Sequence, residues 1–437
     1  MSSGGQPRPP LPPGPYLVVG LARSGIAAAR MLREHGEVMG CDAGSPPGAE
    51  DLDGVDVRLN TDGLDLLARA ATVVKSPGVP QQAPLIVSAR ERGLEVVGEL
   101  ELAWRLIPNE FIAVTGTNGK TTTVELLGAM HRQAGLAVEV AGNVGTPLAS
   151  LAGEIDPAAT VVCEASSFQL EDSTQFAPDC AVLLNVTEDH LDRHGSFEDY
   201  LAAKLRVFQN QDHDDVAVLG VDFAGQPGRA ATVRFGGPDS DLAEREGELW
   251  WQGVSMMPTS EIRLRGRHNL ENAMAASAAV LARGLDTEAV RATLREFAGV
   301  PHRLEEVAER DGVLFVNDSK ATNVASALVG IEAFDGGVHL IAGGSLKGGG
   351  FGGLREAVTS RCRACYLIGE AAEQLEQDLG GTVPLHRCGD LEHAVEAASK
   401  AAQPGDTVLL SPACASYDQF KNFEERGDRF RELARRG

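Results

Sequence analysis

What the chain lacks narrows its chemistry first. Seven cysteines are scattered over 437 residues, an odd number without dense spacing, which argues against a disulfide framework and fits a reducing compartment. Cys362 and Cys365 form a lone C-x-x-C with no second pair and no nearby histidine, so zinc has little support and small residues leading into the strand "CYLIG" are the plainer reading. Positive charge is scarce. Lys plus Arg number 39 against 62 Asp plus Glu, a formal charge of −23, and an even field of that sign repels nucleic acid and anionic lipid. No apolar run reaches the roughly 18 residues a membrane helix needs. The opening "MSSGGQPRPPLPPGP" has no apolar signal core and reads, over residues 1–15, as a disordered and partly polyproline tail. The expectation is a cytoplasmic protein without stable membrane association.

What is present fits a multidomain globular enzyme. Hydrophobic residues make up 43% and charged residues 23%, and the length suits two to four domains. Short apolar strands ("YLVVG", "CAVLLNV", "DVAVLG", "DTVLLSPA") alternate with helical stretches such as "SFEDYLAAKLRVFQN" and "HNLENAMAASAAVLARG". That alternation predicts parallel sheets covered on both faces. The spacing predicts three α/β domains: 16–98, Rossmann-like; 99–300, P-loop ATPase-like with a mostly parallel sheet; and 301–437, Rossmann-like again.

The strongest chemical signal is "FIAVTGTNGKTTTVELLGAM", Phe111 to Met130. A strand turns through glycine and enters a helix at Lys120-Thr121. Gly116 and Gly119 allow positive φ and close backbone approach, so the N–H groups of Thr117, Asn118 and their neighbours can converge on one anion. The helix N-terminus adds partial positive charge. Lys120 can reach terminal phosphates, and the hydroxyls of Thr121 and Thr122 follow. Val114 stands where the generic pattern G-x-x-x-x-G-K-[ST] has its first glycine, but it removes none of these groups.

Weaker signals surround it. "GLARSG" with Asp42 is compatible with a bound nucleotide diphosphate or with a plain strand–helix turn. Glu164, and Glu188-Asp189-His190, end strands where Mg²⁺ and its waters could sit; each taken singly reads first as a solvated loop residue, and the phosphate loop in the same domain reverses that reading. Lys204 lies beside the stripe of Leu201, Leu205 and Phe208, where a snorkelling lysine is the bland reading. "VNDSKATN", "LIAGGSLKGGG" and "LLSPACASYDQFKNFEERG" end three more strands, and their polar ends could converge on an anionic ligand.

Together "GTNGKTTT", "EASSFQLE", "NVTEDHLDRHG" with the later lysine, "GRHNLEN", "HRLE" and "NDSKATN" resemble the Mur ligase family over nearly the whole chain after the tail. The resemblance implies an ATP-dependent amide-forming ligase of peptidoglycan precursor synthesis, and through it of cell shape and division. The pair "NDSKATN" and "SPACASYDQFKNFEERG" is most similar to members that add D-glutamate to UDP-N-acetylmuramoyl-L-alanine through an acyl phosphate. It implies Mg-ATP with two ions and a monomer. Lys120 and Thr121 would serve the ATP phosphates, Glu164 a first Mg²⁺, and His190 with a carbamylated Lys204 a second. His190 is also a candidate base for the amine. Asn269, Asn272, Arg303 and Asp318 would contact ATP. Lys320, Thr322, Lys347, Ser416 and Phe423 would face D-glutamate. Asn143, Ser166 and Gln169 would meet the muramoyl side, and Leu21, Ala22, Asp42, Ser76, Pro77 and Gly78 the uridine side. Two positions depart from the pattern: Asp42 is followed by Ala43-Gly44 in place of Thr-Arg, and Tyr417 replaces a common aliphatic residue. Rival readings are a family member with another acceptor, a dinucleotide-dependent oxidoreductase suggested by "VVGLARSG", and a non-catalytic nucleotide switch.

Overall fold

The computed structural model describes residues 8–264, 266–346 and 350–436. Three sheets organise them. The first contains β1 (Tyr16–Val19), β2 (Val38–Asp42), β3 (Asp56–Leu59), β4 (Thr72–Lys75) and β5 (Glu95–Gly98) in the order β3-β2-β1-β4-β5, all parallel. Every residue of β1 and β4 is buried, as expected of strands covered on both faces. The chain reverses its winding between β1 and β4. A crevice opens there at the carboxyl ends, the usual ligand position in open α/β sheets.

The second sheet holds β6 (Phe111–Thr115), β7 (Val138–Gly142), β8 (Thr160–Glu164), β9 (Cys180–Leu183), β10 (Val216–Gly220), β11 (Ala231–Phe235), β12 (Leu242–Arg245), β13 (Glu248–Trp251) and β14 (Val254–Pro258). Its order is β14-β13-β12-β11-β10-β9-β6-β8-β7. Winding reverses between β6 and β9, so the loops after these two strands meet. The third sheet, β15 (Glu305–Arg310), β16 (Val313–Asn317), β17 (Val338–Gly343), β18 (Cys362–Ile368), β19 (Leu385–Gly389) and β20 (Thr407–Leu410), runs β15-β16-β20-β17-β18-β19.

The described chain forms two compact units: residues up to 262 with 268–296, which carry the first two sheets, and 263–267 with 297–437, which carry the third. The third sheet is sandwiched between two apolar clusters, one around Leu340, Leu354, Leu367 and Leu375 and the other around Phe315, Ile341, Leu410 and Phe430. Among the described residues no helix is long and apolar enough to cross a membrane.

Three features differ from the sequence reading. Strands β12–β14 form antiparallel ladders at one edge of the second sheet, and β15 pairs antiparallel with β16. They are short and half-exposed, so they lack the continuous apolar run that marked the parallel strands. Residues 8–15 of the expected disordered tail are docked. The Arg8 guanidinium lies 4.7 Å from the Trp104 ring centroid and 4.8 Å from that of Phe111, and it donates to Trp104 O at 2.9 Å. Tyr16 Oη donates to Pro12 O at 2.8 Å, and Thr72 Oγ1 to Pro13 O at 2.9 Å. A planar guanidinium can stack and hydrogen-bond at once, which is what orders this polar segment. Third, Lys204 does not snorkel: its residue is 2% exposed, on helix Phe197–Gln209.

Candidate functional site

The phosphate loop is built by β6, Gly116 to Gly119, and helix Lys120–Gln133. Val114 is a fully buried strand residue whose carbonyl accepts from Ala165 N at 2.9 Å, so no glycine is needed at that position. Gly119 has φ +86°, and a Cβ there would collide with the Asn272 side chain, so both conformation and space demand glycine. Asn272 Nδ2 in turn donates to Asn269 Oδ1 at 3.3 Å. Both asparagines lie on helix Arg267–Ala282, and the fold brings this pair onto the loop.

The loop after β9 grips the phosphate loop from the other side. Thr117 N donates to Asn185 O and Asn118 N to Asn185 Oδ1, each at 2.9 Å. Thr117 Oγ1 lies 3.0 Å from Tyr200 Oη and accepts from Thr187 N at 3.1 Å. Asn185 and Tyr200 therefore shape the loop. Sequence reasoning quoted both and assigned neither, because their partners are 67 and 83 positions away. Lys120 Nζ donates to Gly116 O and Thr117 O, both at 2.8 Å, so it sits at the loop's concave face. Thr122 is buried on the same first turn.

Thr121 Oγ1 donates to Glu164 Oε2 at 2.9 Å, and Asn143 Nδ2 to Glu164 Oε1 at 3.0 Å. A hydroxyl and a buried carboxylate side by side at a helix N-terminus are the hard oxygen donors that Mg²⁺ prefers, and these residues fit such an ion. Lys204 Nζ donates to Gly116 O at 2.8 Å and lies 4.4 Å from the centroid of the Tyr200 ring. Burial, with Lys120 nearby, pushes its ammonium down to about 7. The His190 ring centroid lies 6.4 Å from that of Tyr200, edge to face, and the His190 backbone N–H bonds Asp189 Oδ1 at 2.9 Å. Its imidazole is about half exposed.

His194 was not anticipated. It stacks on Phe168 at 5.1 Å, and its Nε2 lies 3.0 Å from Ser167 Oγ. Burial lowers its pKa, against the opposing pull of Glu171.

A cavity of about 600 Å³ opens at the carboxyl edge of the first sheet. It is lined by Ala22, Asp42, Ser76, Pro77 and Gly78, and on the second sheet's side by Asn143 and Gln169. Asp42 Oδ2 accepts from Leu21 N at 2.7 Å and Oδ1 from Gly44 N at 2.8 Å. Ser76 Oγ donates to Gly20 O at 2.6 Å across the crevice. Leu21 meets the cavity differently from expectation: its side chain is wholly buried, packed near Gly40, leaving only its backbone near the site. The Ser166 side chain instead caps helix Ser167–Leu170 in a reciprocal box with Gln169. Arg23 and Thr61 also line the cavity and were not singled out.

In the other unit Asp318 is buried at the end of β16. It accepts from Ser411 Oγ at 2.7 Å and from Leu304 N at 3.3 Å, and burial raises its carboxyl to about 7 against the pull of Arg303. Arg303 and Asp318 are thus neighbours. Arg426, only 1% exposed, holds the two polar loops together. Its Nε and Nη2 donate to Ser319 Oγ and O, each at 2.9 Å, and its Nη atoms to Ala415 O at 3.2 Å and Cys414 O at 3.1 Å. Ser319 Oγ donates to Phe423 O at 2.8 Å. Lys320 and Thr322 lie on the first of these loops, Ser416 on the second, and Phe423 opens the helix Phe423–Arg435 that follows it. Lys347 lies outside the described residues.

A phosphate loop backed by a carboxylate, with a crevice at the switch point of a parallel sheet in the same compact unit, points to a nucleotide-dependent α/β enzyme. The comparisons narrow that class. The sequence matches the Mur ligase MurD-like N-terminal domain over residues 15–98, the Mur ligase middle domain over 114–280 and the Mur ligase glutamate ligase domain over 302–414. It is 44% identical to the UDP-N-acetylmuramoylalanine–D-glutamate ligase of Acidobacterium capsulatum, covering 95% of each chain. Identity to the ligase of that name from Geobacter metallireducens is 45%, over 95% of this chain and 96% of the other. The chain belongs to the Mur ligase family. Solved structures share the fold. The UDP-N-acetylmuramate-alanine ligase of Thermotoga maritima superposes with a TM-score of 0.60 at 18% identity, covering 95% of this chain and 98% of that one. The MurF ligase of the same organism, in complex with ADP, gives 0.58 at 20% identity, over 94% and 97%.

Proposed function

We propose that the protein joins D-glutamate to UDP-N-acetylmuramoyl-L-alanine with hydrolysis of ATP to ADP and phosphate, in the cytoplasm and as a monomer. The observation that carries this reading is the Lys120-Thr121-Glu164 cluster at the phosphate loop, in a chain whose relatives of that name align over nearly its full length.

The substrate carboxylate is a poor acyl donor because its leaving group would be oxide. Transfer of the terminal phosphoryl group to it creates an acyl phosphate. The amine of D-glutamate then attacks the acyl carbon, loses a proton, and phosphate departs. The chain's residues serve the first step by neutralising charge and fixing geometry. Asn185 takes the N–H groups of Thr117 and Asn118, so Lys120 and the N–H groups of the first helical turn after Gly119 would hold the phosphates. Asn272, which stands against Gly119, and Asn269, bonded to it, would support the nucleotide side. Thr121 and Glu164 would hold one Mg²⁺, and His190 with Lys204 a second. When bound, such ions supply charge neutralisation between the phosphates and the attacking carboxylate.

Carbamylation of Lys204 suits its setting. The reaction adds CO₂ to a neutral amine with loss of one proton, and burial beside Lys120 favours the neutral amine near pH 7. The product is an anion, which turns a buried cation into a metal ligand. The cavity beside Asp42 and Ser76 would take the UDP moiety, with Asn143, Ser166 and Gln169 on the muramoyl side. Arg303 and Asp318 would contact ATP, while Lys320, Thr322, Lys347, Ser416 and Phe423 would serve D-glutamate.

Isotope tracing tests the chemistry. With ¹⁸O in the muramoyl carboxylate, one label should appear in the released inorganic phosphate, and only when D-glutamate is supplied for turnover. Unlabelled phosphate would overturn the acyl-phosphate reading.

A further inference from the structure

Outside the groups already assigned, one buried ion pair joins the first sheet to the second. Lys75 ends β4 and Asp172 follows helix Ser167–Leu170; they are 0% and 4% exposed. Their Nζ and Oδ2 atoms lie 2.7 Å apart, and neither atom hydrogen-bonds any other group among the described residues. Glu171 Oε1 lies 3.9 Å from the lysine and Arg90 Nη2 4.0 Å from Asp172 Oδ1, so each buried charge leans chiefly on the other. Asp172 Oδ1 accepts from Gln81 Nε2 at 2.8 Å, and Gln81 also donates to Glu171 Oε1 at 2.6 Å. The backbone of Asp172 accepts from Gly98 N, at the end of β5, at 3.2 Å. Arg193 adds longer contacts of 3.4–3.5 Å to the carbonyls of Pro77, Gly78 and Val79.

Position gives this cluster its meaning. Lys75 is followed directly by Ser76-Pro77-Gly78, one wall of the cavity. Asp172 lies three residues past Gln169, which lines the opposite wall. We infer that Lys75 and Asp172 are positioning residues: their ion pair sets the span between the cavity wall that meets the nucleotide diphosphate and the wall that meets the sugar and its acyl chain. A buried ion pair is a poor source of net stability, because desolvation offsets attraction, but its directional demand can fix one register between two surfaces. A ligand held at both walls gains from a fixed span as a bivalent ligand gains from a matched linker. A ligand held at one wall does not.

This inference rests on the proposed reading of the cavity, and its test separates the two. Calorimetry would measure UDP and UDP-N-acetylmuramoyl-L-alanine binding to the full chain and to Lys75→Met, Lys75→Met/Asp172→Leu and Gln81→Leu. The double variant removes both charges together and guards against a single variant that fails to fold. The expected result is UDP affinity within about twofold in every variant, and affinity for the whole muramoyl nucleotide weakened about tenfold in the double variant and about threefold in Gln81→Leu. KM for ATP should hold steady while KM for the muramoyl nucleotide rises. Equal weakening of both ligands, or unchanged binding of both in the folded double variant, would overturn the inference. Failure of the unmodified protein to bind either nucleotide would instead overturn the reading of the cavity.

Discussion

Two buried cations, one in each compact unit, make an instructive pair. Lys204 and Arg426 are 2% and 1% exposed, and among the described residues neither has a carboxylate bonded to it. Arg426 spreads four hydrogen bonds over the two loops it joins, and burial lowers its guanidinium only to about 10. Lys204 has one carbonyl, Gly116 O, and the face of Tyr200, and burial takes it to about 7. Planar, multiply bonded guanidinium keeps its charge and acts as scaffold. A poorly bonded ammonium gives its proton up near neutral pH and becomes a nucleophile. Burial alone thus says little about a cation's role; the number of acceptors around it says more.

The comparison can be broken at either end. The largest effect is expected for Lys204→Met, which should lower kcat by about a hundredfold to a thousandfold, the scale of losing one charge-stabilising group. The variant should nonetheless melt higher than the parent at pH 7 in carbonate-free buffer. The sign follows from linkage. The folded pKa of Lys204 lies below its unfolded value of 10.5, so between about pH 7 and 10.5 the unfolded chain binds more protons and the parent gains stability as pH rises. The advantage of the methionine should therefore shrink between pH 7 and 10, which melting curves would show. A constant difference would mean that Lys204 is charged when folded. Arg426→Met should act the opposite way, costing about 3–5 kcal/mol by denaturant titration because several buried acceptors are left unpaired. A loss below about 1 kcal/mol would remove its role as scaffold. The smallest effect belongs to a buried carboxyl, Glu99, which accepts from Ala149 N at 2.6 Å and is raised by burial to about 7. Here the folded chain holds the extra proton between pH 4.5 and about 7, so parent stability falls as pH rises through that window. Glu99→Gln should flatten the decline by up to about 3 kcal/mol, and an unchanged slope would show that Glu99 does not titrate there.

Much of the phosphate site was legible because it is local. Gly116, Gly119, Lys120 and Thr121 fall within one strand–turn–helix, and backbone geometry fixes their relation. The parallel strands were legible through their continuous apolar runs. Other features lay out of reach because they depend on distant partners. Arg8 reads as a charge among prolines until Trp104 arrives under it. Nothing near Lys75 in the sequence announces Asp172. Lys204 reads as a snorkelling residue from its own helix, and only the loop after β6 shows that it is enclosed. The edge strands β12–β14 escaped because half-exposed alternation over four or five residues differs little from a polar loop.

Glu101 carries a practical lesson for anyone reshaping this molecule. Its buried carboxylate gathers the N–H groups of Thr174, Gln175 and Phe176, at 2.8–3.2 Å, so one side chain dictates the path of three successive residues. Lengthening the chain there would release all three at once. The turn at Gln252-Gly253, next to the 67%-exposed Val254, has no comparable tether among the described residues, and it is the natural place to graft a peptide or a fluorescent label.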